Sequence, residues 1–182
     1  MTPIFLIGYM GSGKTTLGRA LADKMQCEFI DLDHYIENRY HKTVKQIFAE
    51  FGEARFREIE THLLDEVSDF TDVVIACGGG TPCFGNNMEL MRQKGLVVYL
   101  YVSVQCLFNR LTLPHSKAKR PIIANKSDEE LMDFISENTK RRDPFYSKAH
   151  FKFDATKIET APETVVTSAE LEKEIQDYLN NN

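Results

Sequence analysis

Residues 8–15 read GYMGSGKT, with glycine at 8 and 13, lysine at 14 and threonine at 15. The spacing matches G-x-x-x-x-G-K-[ST], a loop whose backbone N–H groups curl around phosphate. Lys14 would reach the β- and γ-phosphates, and the Thr15 hydroxyl would hold Mg²⁺. Four apolar residues, Ile4 to Ile7, precede the loop, and Leu17, Leu21 and Met25 recur four apart after it. The motif therefore sits between a buried strand and a helix, whose positive N-terminal end favours an anion. A glycine-rich turn alone does not account for so complete a match in that context, so a nucleoside triphosphate is the expected ligand.

Acids and arginines suited to an acceptor are scattered further along. A metal-supporting Asp usually closes an apolar strand, but the strand VVIAC (73–77) runs into cysteine and Gly78, Gly79 and Gly80. The acids available are Asp31 and Asp33 in DLD, which strand alternation would point the same way. Arg57 lies in ARFREIE, Arg142 in KRRDPFY and Arg120 in the basic stretch KAKRP with Lys117 and Lys119. Read singly, each arginine also fits an ordinary solvated cation. NKSD (125–128) matches the guanine-reading tetrad of GTPases, but no D-x-x-G occurs in the chain. Ser127 is better used to open a helix.

These residues need a frame. Phe29–Ile30, VVIAC, LVVYLYV (96–102) and Phe151 with Phe153 read as four further strands. Helices are expected after the phosphate loop, from Thr43 (a capping box with Gln46) to Gly52, then over Phe56 to Val67, from Ser103 through Arg110, after Ser127, and after Thr167 with Glu170. Residues 112–126 show no period and read as a loop. Alternating strands and helices predict an α/β fold, a three-layer sandwich around a parallel sheet.

The totals set bounds. The chain has 182 residues, 42% of them hydrophobic, enough for one domain with one core. Net charge is −5, and residues 154–182 alone carry seven acids against two bases. No basic surface therefore invites nucleic acid or membrane. The four cysteines have no metal spacing, and no signal peptide or 18-residue apolar run is apparent. Cytoplasm is the expected location.

Taken together, GYMGSGKTT, DLD, FGEARFREIE, GGGTP, the lid RP and RRDPFY resemble the shikimate kinase family over nearly the whole chain. The resemblance implies a five-stranded parallel sheet of nucleoside-monophosphate-kinase type with a mobile lid. It implies one domain over 1–182, with a substrate region at about 33–60 and the lid at about 112–126. The implied reaction is phosphorylation of the 3-hydroxyl of shikimate by ATP with one Mg²⁺, in the route to chorismate and aromatic amino acids. Gly11, Ser12, Gly13, Lys14, Thr15 and Thr16 would cradle ATP, with Arg110 over adenine. Thr15 and Asp31 would take Mg²⁺. Lys14, Asp33 and Arg120 would be catalytic, Asp33 also meeting the shikimate hydroxyls. Arg57 and Arg142 would clamp the carboxylate, Gly78, Gly79 and Gly80 would line the ring, and Glu60 would orient Arg57. The family often has an arginine after the last strand, where this chain offers only Lys157. The expected partners are small molecules, with a monomeric protein. A gluconate-type sugar-acid kinase and a non-enzymatic P-loop nucleotide-binding protein remain as other readings.

Overall fold

A computed structural model describes residues 1–118 and 120–181. Lys119, assigned above to the basic stretch, lies outside the described residues. In chain order the elements are β1 (Ile4–Ile7), α1 (Lys14–Met25), β2 (Glu28–Asp31), α2 (Leu32–Tyr40), α3 (Val44–Ser68) and β3 (Val73–Ala76). A short 3₁₀ turn (Thr81–Cys83) leads to α4 (Asn87–Lys94), β4 (Leu96–Tyr101) and α5 (Val104–Leu111). Two short helices, α6 (Pro114–Ala118) and α7 (Pro121–Ala124), precede α8 (Asp128–Tyr146), β5 (Phe151–Asp154) and α9 (Ala161–Asn181).

The five strands form one parallel sheet in the order β2-β3-β1-β4-β5. Phe5 of β1 pairs with Ile75 on one side and Val97 on the other. β1 and β3 are buried along their whole length, which is why they read as unbroken apolar runs. The path steps one way from β1 to β2 and the other way thereafter, so right-handed crossovers put helices on both faces. α1 packs on α9, while α2 packs on α3 and α5 on α8. The predicted α/β sandwich is the fold observed.

Local sequence accounts for the element ends. Thr43 and Gln46 form the full capping box of α3, and Ser127 and Glu130 that of α8. Ser127 therefore serves as the cap of α8, as expected. Gly52 breaks α3 with φ 77°, ψ 171°, a conformation that L side chains avoid. Three expectations differ. The last helix begins at Ala161, because Thr160 and Glu163 hydrogen-bond each other's backbone N–H. Thr167 is buried inside that helix, and its hydroxyl donates to the Lys157 carbonyl. The 112–126 stretch contains α6 and α7, too short to show a helical period. α2 and α4 went unread in the sequence because each buries few large apolar side chains.

Candidate active site

The phosphate loop leaves the C-terminal end of β1 and enters α1 at Gly13. Gly13 has φ 92° and caps the helix without a side chain, leaving the first-turn N–H groups for a ligand. Gly8 has φ 148°, and a Cβ there would stand 2.6 Å from the Leu100 carbonyl oxygen. Only glycine lets β1 turn so close to β4. Lys14 Nζ donates to the carbonyls of Gly8 (2.8 Å) and Tyr9 (2.9 Å), bracing the loop. Burial lowers the Lys14 pKa to about 8, while Asp33, Cys77 and Asp31 pull it back up. Ser12 is buried with a hydroxyl that has no partner among the described residues, and Thr16 lines the cavity mouth.

The acids arrive by a different local geometry from strand alternation. Asp31 ends β2 and is the N-cap of α2, its carboxylate accepting from the His34 N–H. Asp33 lies in the first helical turn beyond it. The helix turns both carboxylates toward the phosphate loop, the outcome that alternation predicted for another reason. Thr15 Oγ1 donates to Asp31 Oδ2 at 2.9 Å. This hydroxyl–carboxylate pair offers the hard oxygen ligands that Mg²⁺ prefers. Among the described residues no group of three or more His, Cys, Asp or Glu side chains forms a metal cage. The pair therefore suits an ion that keeps waters and phosphate oxygens as its other ligands. Burial raises the Asp33 pKa to about 6, with Asp31 and Glu60 adding to the shift against Lys14.

Of the three glycines after β3, Gly78 lines the phosphate-loop cavity, Gly80 a second cavity, and Gly79 both. A Cβ on Gly78 would meet Thr81 Oγ1 at 3.0 Å and Asp33 Oδ1 at 3.1 Å. A Cβ on Gly80 would meet Arg57 Nη2 at 2.9 Å, so the bare backbone is what lets the guanidinium reach forward. Arg57 lies against Phe84, 3.9 Å from the ring centroid, and its Nη1 donates to Glu60 at 2.7 Å. Arg142 sits over the Tyr9 ring, and its Nη1 would be 3.2 Å from a Cβ on Gly79. Tyr146, one turn on, donates to the Gly79 carbonyl at 2.6 Å.

Two cavities result. One, of about 410 Å³, is lined by the phosphate loop, Asp31, Arg110 and Ile158. The other, of about 810 Å³, is lined by Val44, Phe48, Gly80, Arg142 and the lid residue Ile122. Met10, Asp33, Gly79 and Arg120 line both. Arg120 Nη1 meanwhile donates to the Ser116 carbonyl within the lid.

The nucleotide end differs in detail. Arg110 ties the phosphate loop to the segment after β5. It donates to the carbonyls of Gly11, Ala155 and Thr156 and pairs with Glu159 at 2.6 Å. Ile158 and Glu159 line the cavity where the family often places a cation, and Lys157 does not. Tyr146, Thr81 and Ile158 were missed in the sequence. Tyr146 and Thr81 lie inside the quoted RRDPFY and GGGTP, but no role was read for either.

The shikimate kinase family model matches residues 10–177. A shikimate kinase of Phocaeicola vulgatus is 58% identical over 87% of this chain and 90% of its own. A shikimate kinase structure from Bacteroides thetaiotaomicron superposes with TM-score 0.92 at 48% identity, covering 96% of this chain and 98% of that one. One from Acinetobacter baumannii, in complex with shikimate, gives 0.80 at 32% over 97% and 94%. A gluconokinase from Sinorhizobium meliloti gives 0.55 at 16% over 96% and 95%, a likeness of fold alone. By its sequence and its architecture the chain belongs to the shikimate kinase family.

Proposed function

We propose that the protein transfers the γ-phosphoryl group of ATP to the 3-hydroxyl of shikimate, giving shikimate 3-phosphate and ADP. The observation that carries this reading is the meeting of the two cavities at Asp33 and Arg120. A phosphate-binding space and a space lined by Arg142 share one wall, and that wall holds a base and a cation.

Each group has a task. The loop N–H groups and Lys14 hold the β- and γ-phosphates. Arg57 and Arg142 grip the acceptor's carboxylate, for which the planar guanidinium fork is suited. Asp33, with its raised proton affinity, accepts the hydroxyl proton as that oxygen bonds to the γ-phosphorus. The bond from the γ-phosphorus to the bridging oxygen breaks, and ADP leaves. Arg120 turns from its lid carbonyl to the transferring phosphoryl when the lid closes. Thr15 and Asp31 would hold Mg²⁺, which supplies positive charge to the β- and γ-phosphates. Most of the rate enhancement is then positioning and charge neutralisation. The enzyme acts as a cytoplasmic monomer on small molecules in aromatic amino acid biosynthesis.

An ADP-release assay with shikimate, quinate, gluconate and nucleoside monophosphates tests the assignment. Shikimate with ATP and Mg²⁺ should give the highest kcat/KM. A higher value for gluconate would favour the sugar-acid kinase reading, and no turnover with any acid would favour a nucleotide-binding protein.

A further inference from the structure

Glu60 is 1% exposed, so both its carboxylate oxygens must be met inside the protein. Oε2 accepts from Arg57 Nη1 at 2.7 Å, and Oε1 accepts from Thr81 Oγ1 at 2.6 Å. A carboxylate only accepts, so the Thr81 hydroxyl proton is committed to it. Thr81 is itself fully buried, and its backbone carbonyl accepts from Asn87 Nδ2 at 3.0 Å. Asn87 is also fully buried and opens α4. A continuous chain, Asn87–Thr81–Glu60–Arg57, thus runs from α4 to the guanidinium.

The far end of that chain is unfinished. Arg57 Nε is buried with no partner among the described residues, and Nη2 makes a long pair with the exposed Glu53 at 3.5 Å. The guanidinium is thus held tightly at Nη1 by a buried carboxylate and only loosely at Nη2 by an exposed one.

We infer that Thr81 is a positioning residue of the acceptor clamp: its hydroxyl fixes Glu60, and Glu60 in turn fixes the guanidinium of Arg57 for the acceptor's carboxylate. The inference rests on the proposed function and adds to it a residue that touches no substrate. The other arm is anchored on the same loop, since Tyr146 donates to the Gly79 carbonyl beside Arg142. Both arms therefore take their positions from residues 79–81.

The test compares Thr81→Val, which keeps the shape and removes the donor, with Thr81→Ser, which keeps the donor. Shikimate Kd is measured on the nucleotide-free enzyme by calorimetry, with the KM of ATP and the melting temperature alongside. Leaving a buried acceptor unmet should weaken shikimate binding by about tenfold in Thr81→Val. The KM of ATP should hold, and Thr81→Ser should bind nearly as wild type. In a Glu60→Gln background Thr81→Val should add little further loss. An unchanged shikimate Kd in Thr81→Val would overturn the inference. So would a KM of ATP that rises in step, or a Thr81→Ser as impaired as Thr81→Val. If Thr81→Val does not fold, Thr81→Ala is read by the same criteria. A wild-type protein that binds no shikimate would instead sink the proposed function.

Discussion

The donor cradle and the acceptor clamp are built on opposite plans. The cradle is nine consecutive residues, Gly8 to Thr16, and it works largely through backbone N–H groups and the end of α1. The clamp takes Asp33 from α2, Arg57 and Glu60 from α3, residues 78–81 from the loop after β3, and Arg142 from α8. The cradle is a fixed surface that many ligands with a triphosphate could use. The clamp is a set of side chains, each held by another. Selectivity for the acceptor therefore rests on the second region, and so does sensitivity to distant substitutions.

The largest effect should come where the two regions meet. Asp33→Asn keeps the size but cannot accept a proton. Its kcat should fall by roughly 10²–10⁴-fold, the usual contribution of a general base. ATP affinity should stay near wild type. The wild-type acid limb of kcat/KM should lie near pH 6, since burial raises the Asp33 pKa to about 6. Stability should move the opposite way. The folded pKa is above the unfolded value near 3.8, so the carboxylate's burial costs stability as pH rises through that window. Asp33→Asn should then melt higher than wild type at neutral pH, with the gap closing below about pH 4. Near-normal turnover in Asp33→Asn would break the division between the regions.

A second test is confined to the clamp. Arg57→Ala and Arg142→Ala should each cost about 2–5 kcal/mol of shikimate binding. Arg57→Lys should also be impaired, because an ammonium cannot hold Glu60 and the ligand with one planar fork. Calorimetry with shikimate and then with a non-hydrolysable ATP analogue reads both sides. Equal losses for both ligands would mean that the two regions are one cooperative unit.

The smallest effect should be confined to the cradle. Asp31→Asn removes charge beside Thr15, so half-maximal rate should need more Mg²⁺, and excess Mg²⁺ should restore much of it. A Mg²⁺ titration of kcat would show this. Failure of any Mg²⁺ concentration to rescue the variant would give Asp31 an acceptor-side role.

How much could be read from the sequence follows the same division. The cradle was legible because its residues are contiguous and its glycines answer to backbone geometry. Asp31 and Asp33 were placed at the right edge, but through strand alternation, whereas a helix starting at Leu32 does the turning. Local signals could not separate the two, since α2 opens without a break after β2. Thr81 and Asn87 were illegible for a different reason. Their roles come from burial against Glu60 and the 3₁₀ turn, partners 21 and 6 residues distant, and nothing in TP or NN marks that. The start of α9 was misplaced because Thr167 with Glu170 reads as the cap, whereas the reciprocal pair that forms is Thr160 with Glu163. Thr167 instead spends its hydroxyl on the Lys157 carbonyl.

The strand order has a bearing on how such an enzyme can change. β1 delivers the phosphate loop, β3 delivers the glycines that follow it, and β2 delivers Asp31; in the sheet β3 lies between the other two. Adjacent strands are spaced about 4.8 Å apart by their hydrogen bonds. The sheet thus acts as a ruler, setting the gap between the two reacting partners independently of what grips either one. Mutations in Arg57, Phe48 or Arg142 can retune which acid is held without disturbing the line of transfer.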